Sequence, residues 1–348
     1  MIKEIELVGI SVNRPKEITS LYFGGGTPTL MVNDIKTIID TIKKYFIIKD
    51  CIGVELNPND INDDILKLLK DAGVTMVSIG IQSFDTNCLK NLGRDEFLDY
   101  DTIFYKVRKA NFEVVDVDFI FGIPYQTENS IIADINRAFE SGATQISTYP
   151  FIDFTYTKNK KKPLPEKDKK RMLKKITSYC ENNGYERTSV WTFAKKGTEK
   201  YSSITRDNFI GFGVSATTLL KEQFKINTFS IDAYIKRVDN QSLATSLTLD
   251  FTFRQRVAYY IFWNVYSMRI NKNKFKNFFG TSFDKIFWFE KILSILFGFI
   301  KKVGDEYYIT SKGAYYYHYI EQEYTRAYID KMWNISQNIP FPEKIVLK

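Results

Sequence analysis

An α/β fold, with a parallel sheet curved into a full or partial barrel and a smaller, mainly helical module behind it, is what this sequence predicts. Three observations carry that expectation. Apolar runs of strand length recur along the first 150 residues. Segments with helical spacing of apolar residues separate them. Each run delivers a polar or glycine residue near its C-terminal end, and these positions (Gly24, Glu55, Gln82, Asp118, Tyr149) lie about 30 residues apart, the length of a βαβ unit. Successive right-handed crossovers return each strand beside its predecessor.

The first run, Ser20 to Phe23, empties into Gly24-Gly25-Gly26-Thr27-Pro28-Thr29. Three residues without Cβ let a ligand approach the main chain, and Thr27-Pro28-Thr29 is a helix-start signal whose free N–H groups favour an anion. A tight turn with no ligand is the plainer reading of a glycine triplet alone. Ile35, Ile38, Ile39 and Ile42 then share one helical face, as do Ile61, Ile65, Leu68 and Leu69 in the next helix. Between and after them come the strands Gly53–Pro58, Val77–Ser83, Val115–Pro124 and Gln145–Pro150, with Gly73 and Gly142 ending helices before two of them. In barrels of this kind the chemistry sits at the C-terminal strand ends, so Glu55, Gln82 and Asp118 are expected in one mouth with the glycine loop. Capping of the following helices is the alternative for each residue taken singly.

Beyond Pro150, Lys158–Pro165 is a basic, proline-broken connection. A helix over Glu166–Asn183 follows, then a strand over Tyr185–Trp191 and a close-approach turn at Gly211-Phe212-Gly213. From about Thr252 the pattern is helical. Ile286–Ile300 reads as an amphipathic core helix, too short to span a bilayer, and Phe299–Thr310 as a hairpin about Gly304-Asp305. Helices closed by such a hairpin suggest a winged-helix-like module. The expected domains are 1–157, a partial (βα) barrel; 158–250, its extension and substrate side; and 251–348, the helical module. Tyr315, Tyr316, Tyr317, Tyr319, Tyr324 and Tyr328 crowd one helix, which suits aromatic packing between domains better than contact with a flat ring. His318, the only histidine, reads as an exposed helical residue and supports neither a metal site nor a Ser-His-Asp triad.

The 49 basic and 41 acidic residues give a net charge of +8 that suits anionic partners, but the basic residues are dispersed and leave no nucleic-acid footprint. Cys51, Cys88 and Cys180 are far apart, and with no signal peptide they indicate a reducing, cytoplasmic setting.

The ordered series Phe23-Gly24-Gly25-Gly26-Thr27-Pro28-Thr29-Leu30, Glu55-Leu56-Asn57-Pro58, Ser78-Ile79-Gly80-Ile81-Gln82-Ser83-Phe84, Leu92-Gly93-Arg94 and Asp118-Phe119-Ile120-Phe121-Gly122-Ile123-Pro124-Tyr125-Gln126-Thr127 closely resembles the radical S-adenosylmethionine enzymes of the oxygen-independent coproporphyrinogen III oxidase type, a group that also holds heme chaperones and heme-degrading methyltransferases. The resemblance implies that Gly25, Gly26 and Thr27 receive the amino-acid part of S-adenosylmethionine, and that Glu55, Gln82, Arg94 and Asp118 hold that cofactor or a second copy. It implies a 4Fe–4S cluster as well, on a CxxxCxxC loop that these residues lack. The segment Ile2–Val8 resembles the helix that follows that loop. The chain therefore reads as a barrel missing its first strand, from a misplaced start or a broken gene in preference to a cluster-free relative, with the Leu21 strand left as a sheet edge. On this reading the 348 residues do not generate the radical. A tetrapyrrole oxidase lacking its cluster leads, ahead of a heme carrier and a heme-ring methyltransferase; a winged-helix nucleic-acid binder is the outsider. The expected partners are a tetrapyrrole or heme, with no nucleic acid and no membrane span; no catalytic residue and no metal ligand is assigned.

Overall fold

The computed structural model describes residues 1–12, 14–94, 97–155, 157, 161–199 and 207–343. They fall into two compact units: the first takes the described residues of Met1–Asp153, Thr157–Arg187 and Trp191–Ser203, the second those of Phe154–Tyr156, Thr188–Val190 and Ile204–Lys348.

In the first unit, helix α1 (Ile2–Ile10) precedes five strands, β1 (Lys16–Phe23), β2 (Phe46–Leu56), β3 (Met76–Gln82), β4 (Val114–Phe121) and β5 (Gln145–Pro150). Neighbouring strands pair in parallel, in chain order. The crossovers are α2 (Val32–Lys43), α3 (Asp63–Asp71), α4 (Thr86–Asn91) with α5 (Tyr100–Ala110), and α6 (Glu128–Ser141). Their ends follow from local chemistry. Asn62, Asp85 and Asp99 accept backbone N–H groups as N-caps, Thr127 and Ser130 close a capping box, and Gly142 ends α6 at φ 113°. Helix α7 (Glu166–Asn182) leads to two short antiparallel strands, β6 (Glu186–Arg187) and β7 (Thr192–Ala194), which complete the order β1-β2-β3-β4-β5-β7-β6. The parallel α/β sheet is as expected. Among the described residues β1 and β6 are its two edges, so the strand pairing is that of an open sheet.

Three details differ from expectation. Cys51 lies inside β2, not ahead of it. The α3 stripe runs through Leu66 and Leu69, with Leu68 turned outward. Tyr185–Trp191 is not one strand: Val190 N–H bonds to the carbonyl of Tyr266, within the second unit, and the chain leaves the sheet before re-entering antiparallel. Of the basic connection, Lys158, Asn159 and Lys160 lie outside the described residues.

The second unit holds a three-stranded antiparallel sheet, β8 (Thr217–Leu220), β9 (Gln223–Asn227) and β10 (Thr245–Asp250), with α8 (Ile231–Asp239) between β9 and β10. Then come α9 (Phe253–Tyr266), β11 (Arg269–Asn271), α10 (Lys272–Phe279), α11 (Phe283–Ile286), α12 (Trp288–Leu296) and the hairpin β12 (Ile300–Val303)–β13 (Glu306–Ile309), turned at Gly304 with φ 58°. Helices closed by this hairpin are the winged-helix-like pattern read from the sequence. They enclose Val257, Tyr260, Ile270, Phe275, Phe283 and Tyr307. Ile286–Ile300 is not a core helix, however. The chain bends at Phe287, no residue of α12 is buried, and Leu296 is 76% exposed. Last come α13 (Ser311–Tyr324), a π-helical turn at Thr325–Ile329 and α14 (Asp330–Asn338). His318, expected on the surface, is fully buried, because it falls with Ala314, Tyr317 and Gln322 on the inward stripe of α13.

Candidate functional site

Strand alternation gives the parallel sheet two unlike faces. One carries Val54, Val77, Ile79, Val115, Val117, Phe119 and Ile146, all buried. The other begins with Met76 and Val114, against which Tyr22 and Cys51 pack, and then turns polar. Register sets Glu55 beside Ser78, Ser78 beside Asp116 and Asp116 beside Gln145, in one row across four strands. A step further along, Asp118 lies beside Ser147, and Ser147 beside Thr192.

The glycine loop and Glu55 meet. Gly25 N–H donates to Glu55 Oε2 at 3.2 Å, and the Tyr22 hydroxyl donates to Glu55 Oε1. A Cβ at Gly24 would collide with the Tyr22 ring and lie 3.0 Å from the Glu55 carboxyl group, so that position needs glycine for close approach; Gly25 needs it for its φ of 102°. At Gly25 and Gly26 a Cβ would meet open space, so the loop presents bare backbone outward. Burial pushes the Glu55 carboxyl above its ordinary range, and the Tyr22 and Gly25 bonds pull against that. Thr27 precedes only a four-residue 3₁₀ turn, Pro28–Met31, and caps nothing with its side chain. Thr29 is buried and spends its hydroxyl on Asp60. Helical structure thus starts where the sequence placed it, with Thr27 at the N-cap position and Pro28 in the first turn, but as a 3₁₀ turn that precedes α2 at Val32 and supplies little dipole for an anion.

Gln82 and Arg94 converge on a different point. Between Ile79 and Gln82 the β3–β4 register slips, and Gln82 takes a left-handed φ of 68°. Such a bulge re-aims a side chain, at a cost of about 1–3 kcal/mol for a non-glycine residue. A Cβ at Gly80 would lie 2.9 Å from Gln82 Nε2, and Arg94 Nη1 donates to the Gly80 carbonyl at 2.7 Å. Gly80 is therefore the pivot of this pair.

Asp118 sits with Asp116, two residues back on the same face. Ser78 Oγ donates to Asp118 Oδ2 at 2.8 Å and lies 3.2 Å from Asp116 Oδ2; Ser147 Oγ donates to Asp116 Oδ2 at 3.0 Å. Burial drives both carboxyls upward, and for Asp118 the charge of Asp116 adds to it. Sequence reasoning named Asp118 but missed Tyr22, Ser78 and Asp116. The signal for Asp116 was present in Val115-Asp116-Val117-Asp118, whose period of two puts both carboxyls on one face.

The cysteines do not fit an iron–sulfur cluster. Cys51 is half-buried in β2, Cys88 buried in α4 and Cys180 buried in α7, all free. Burial raises all three thiols, to about 11 for Cys88 and about 12 for Cys180, whereas cluster ligands must be thiolates. Among the described residues no group of three or more His, Cys, Asp or Glu side chains could hold a metal ion. A cleft of about 440 Å³ lined by Gln126, Glu128, Asp168 and Arg171 among others contains none of the sequence-predicted site residues, and its charges pair with one another.

Comparison with known proteins agrees with the motifs. Residues 3–138 match the model of the Radical SAM superfamily. The heme chaperone HemW of Bacillus subtilis is 27% identical over 78% of this chain and 76% of its own length. The oxygen-independent coproporphyrinogen III oxidase of Synechocystis is 22% identical over 89% of this chain and 74% of its own. Among solved structures, coproporphyrinogen III oxidase (HemN) from Escherichia coli superposes with a TM-score of 0.75, covering 97% of this chain and 82% of that one at 18% identity, a likeness of fold. The resemblance read from the sequence is borne out. No described helix is long and apolar enough to cross a membrane.

Proposed function

We propose that this chain is a tetrapyrrole-handling relative of the heme chaperones and coproporphyrinogen oxidases that binds S-adenosylmethionine along the polar strand ends of its first unit. The observation that supports it best is the junction of Glu55 with the glycine loop, where a carboxyl meets main chain that no side chain covers at Gly25 and Gly26. On this reading Gly25, Gly26 and Thr27 receive the amino-acid part of the cofactor. Glu55 and Asp118 accept from its ammonium or ribose hydroxyls, Gln82 supplies an amide, and Arg94 can grip a carboxylate with two parallel bonds. When bound, S-adenosylmethionine supplies an activated sulfonium.

The three dispersed thiols, two of them buried, do not suit an iron–sulfur cluster. The described residues are therefore assigned binding, and the proposed role of this chain as written is to hold a tetrapyrrole or heme in a reducing, cytoplasmic setting. Two titrations of the purified protein test this. Heme binding at one equivalent, read by the Soret band, without cleavage of S-adenosylmethionine supports the carrier; oxidative decarboxylation of a propionate-bearing porphyrinogen would replace it with the oxidase, and methyl transfer from labelled cofactor with a methyltransferase. S-adenosylmethionine itself is expected to bind weakly, and tight binding in calorimetry would overturn that expectation.

A further inference from the structure

We propose that Asp116 is a positioning residue that holds Asp118 in its carboxylic-acid form, so that the two share one negative charge. Both approach one serine oxygen, Ser78 Oγ, at 2.8 and 3.2 Å, which keeps their oxygens within about 6 Å of each other. Asp116 is 2% exposed and Asp118 half-buried. Among the described residues neither carboxyl has an ion pair. The titratable groups facing them from neighbouring strands are Glu55 on β2, which adds to the negative potential at Asp118, and Tyr149 on β5. Two carboxylates so placed do not both ionise easily.

The donors decide which of the two takes the charge. Asp116 receives Ser147 Oγ and the Gln145 side chain besides the shared Ser78 Oγ, while Asp118 has Ser78 alone. The charge therefore settles on Asp116 and the proton on Asp118. The consequence for ligands rests on the reading of Asp118 as a contact for S-adenosylmethionine, whose sulfonium and ammonium outweigh its carboxylate. A cationic ligand favours ionised Asp118, so binding releases a proton to the buffer. Its affinity then rises with pH through the ionisation of the free pair and levels off above it.

The unmodified, ligand-free chain provides the first test. Its carboxylic C=O infrared band is followed from about pH 4 to about pH 9, and the difference from Asp118→Asn isolates the contribution of Asp118. An Asp118 acid band that persists at neutral pH is expected. In Asp116→Asn the same band is expected to titrate at least tenfold more readily, about one pH unit lower. Loss of the Asp118 band by about pH 6 in the unmodified chain overturns the proposal, as does an unchanged midpoint in Asp116→Asn. Should Asp116→Asn fail to fold, the unmodified chain and Asp118→Asn still decide whether Asp118 is an acid at neutral pH, and Ser147→Ala, which strips a donor from Asp116, is expected to move the Asp118 midpoint and replaces the variant.

Equilibrium dialysis of labelled S-adenosylmethionine against pH forms the second arm. A pH-dependent affinity that becomes flat in Asp116→Asn supports the coupling; an equal, pH-independent loss would mean Asp116 is only structural. If the cofactor fails to bind at any pH while the Asp118 band persists, the proton-sharing pair stands and the S-adenosylmethionine reading falls.

Discussion

The sheet of the first unit and the helices of the second both bury ionisable side chains, and they satisfy them differently. In the sheet, Glu55, Asp116 and Asp118 share one face and are served by hydroxyls from neighbouring strands and by the Gly25 N–H of the glycine loop. In the helical unit each buried group is served separately, two of them by a partner one turn away. Gln322 meets His318 one turn away at 3.0 Å, and Thr325 donates to Glu321 across the same spacing. Buried Arg256 donates to the carbonyls of Lys221 and Asp207 and lies over Phe278. A pleated face collects like residues from several strands into one field, whereas a helix disperses them around its axis. The sheet is thus the place where carboxyls can act together on a ligand, and the helices are where each is an isolated structural matter.

Five substitutions press on that contrast, in order of decreasing effect. Phe119→Ala, on the buried apolar face, is expected to cost about 3–5 kcal/mol in chemical denaturation, with no selective effect on binding. Arg256→Ala, which strands two carbonyls and removes packing, is expected to cost about 2–4 kcal/mol.

Glu55→Ala separates the two units most directly. Removing a buried carboxyl held above its usual range relieves desolvation, so the melting temperature is expected to hold or rise while S-adenosylmethionine affinity falls at least tenfold, about 1.4 kcal/mol. A parallel loss of both would make Glu55 a structural residue.

Glu321→Gln tests the isolated case. Burial raises the folded-state pKa of Glu321 to about 7, above its unfolded value, so the folded chain holds the extra proton and stability falls as pH rises between the two values. The substitution is expected to remove that slope and to stabilise the chain above neutral pH by on the order of 1–2 kcal/mol in melts at several pH values. No other carboxyl should change its titration, in contrast to Asp116→Asn. Smallest of all, Arg94→Ala, at an exposed position that donates to the Gly80 carbonyl, is expected to shift stability by less than about 0.5 kcal/mol while weakening cofactor binding several-fold.

Most of the first unit was legible in the sequence, because the period-two runs and their glycine stops are local signals. So were the glycine loop and the carboxyls at the strand ends. Tyr22, Ser78 and Asp116 were not singled out, since their part depends on register between strands distant in sequence. The α12 segment and His318 misled for a related reason: an apolar stripe says that a helix has two faces, not which of them the rest of the unit covers.

Local sequence signals carried the order of strands and helices over residues 16–150, the bare backbone at Gly24–Gly26, the family resemblance and the lack of a CxxxCxxC loop among these 348 residues. Contacts made in the folded chain decided that Glu55 meets Gly25, that Gln82 is turned by a bulge, that Asp116 and Asp118 share one serine, and that burial raises the three thiols. Hydrogen bonds across parallel strands set register, and burial sets proton affinity; both arise from contacts between residues far apart in the chain.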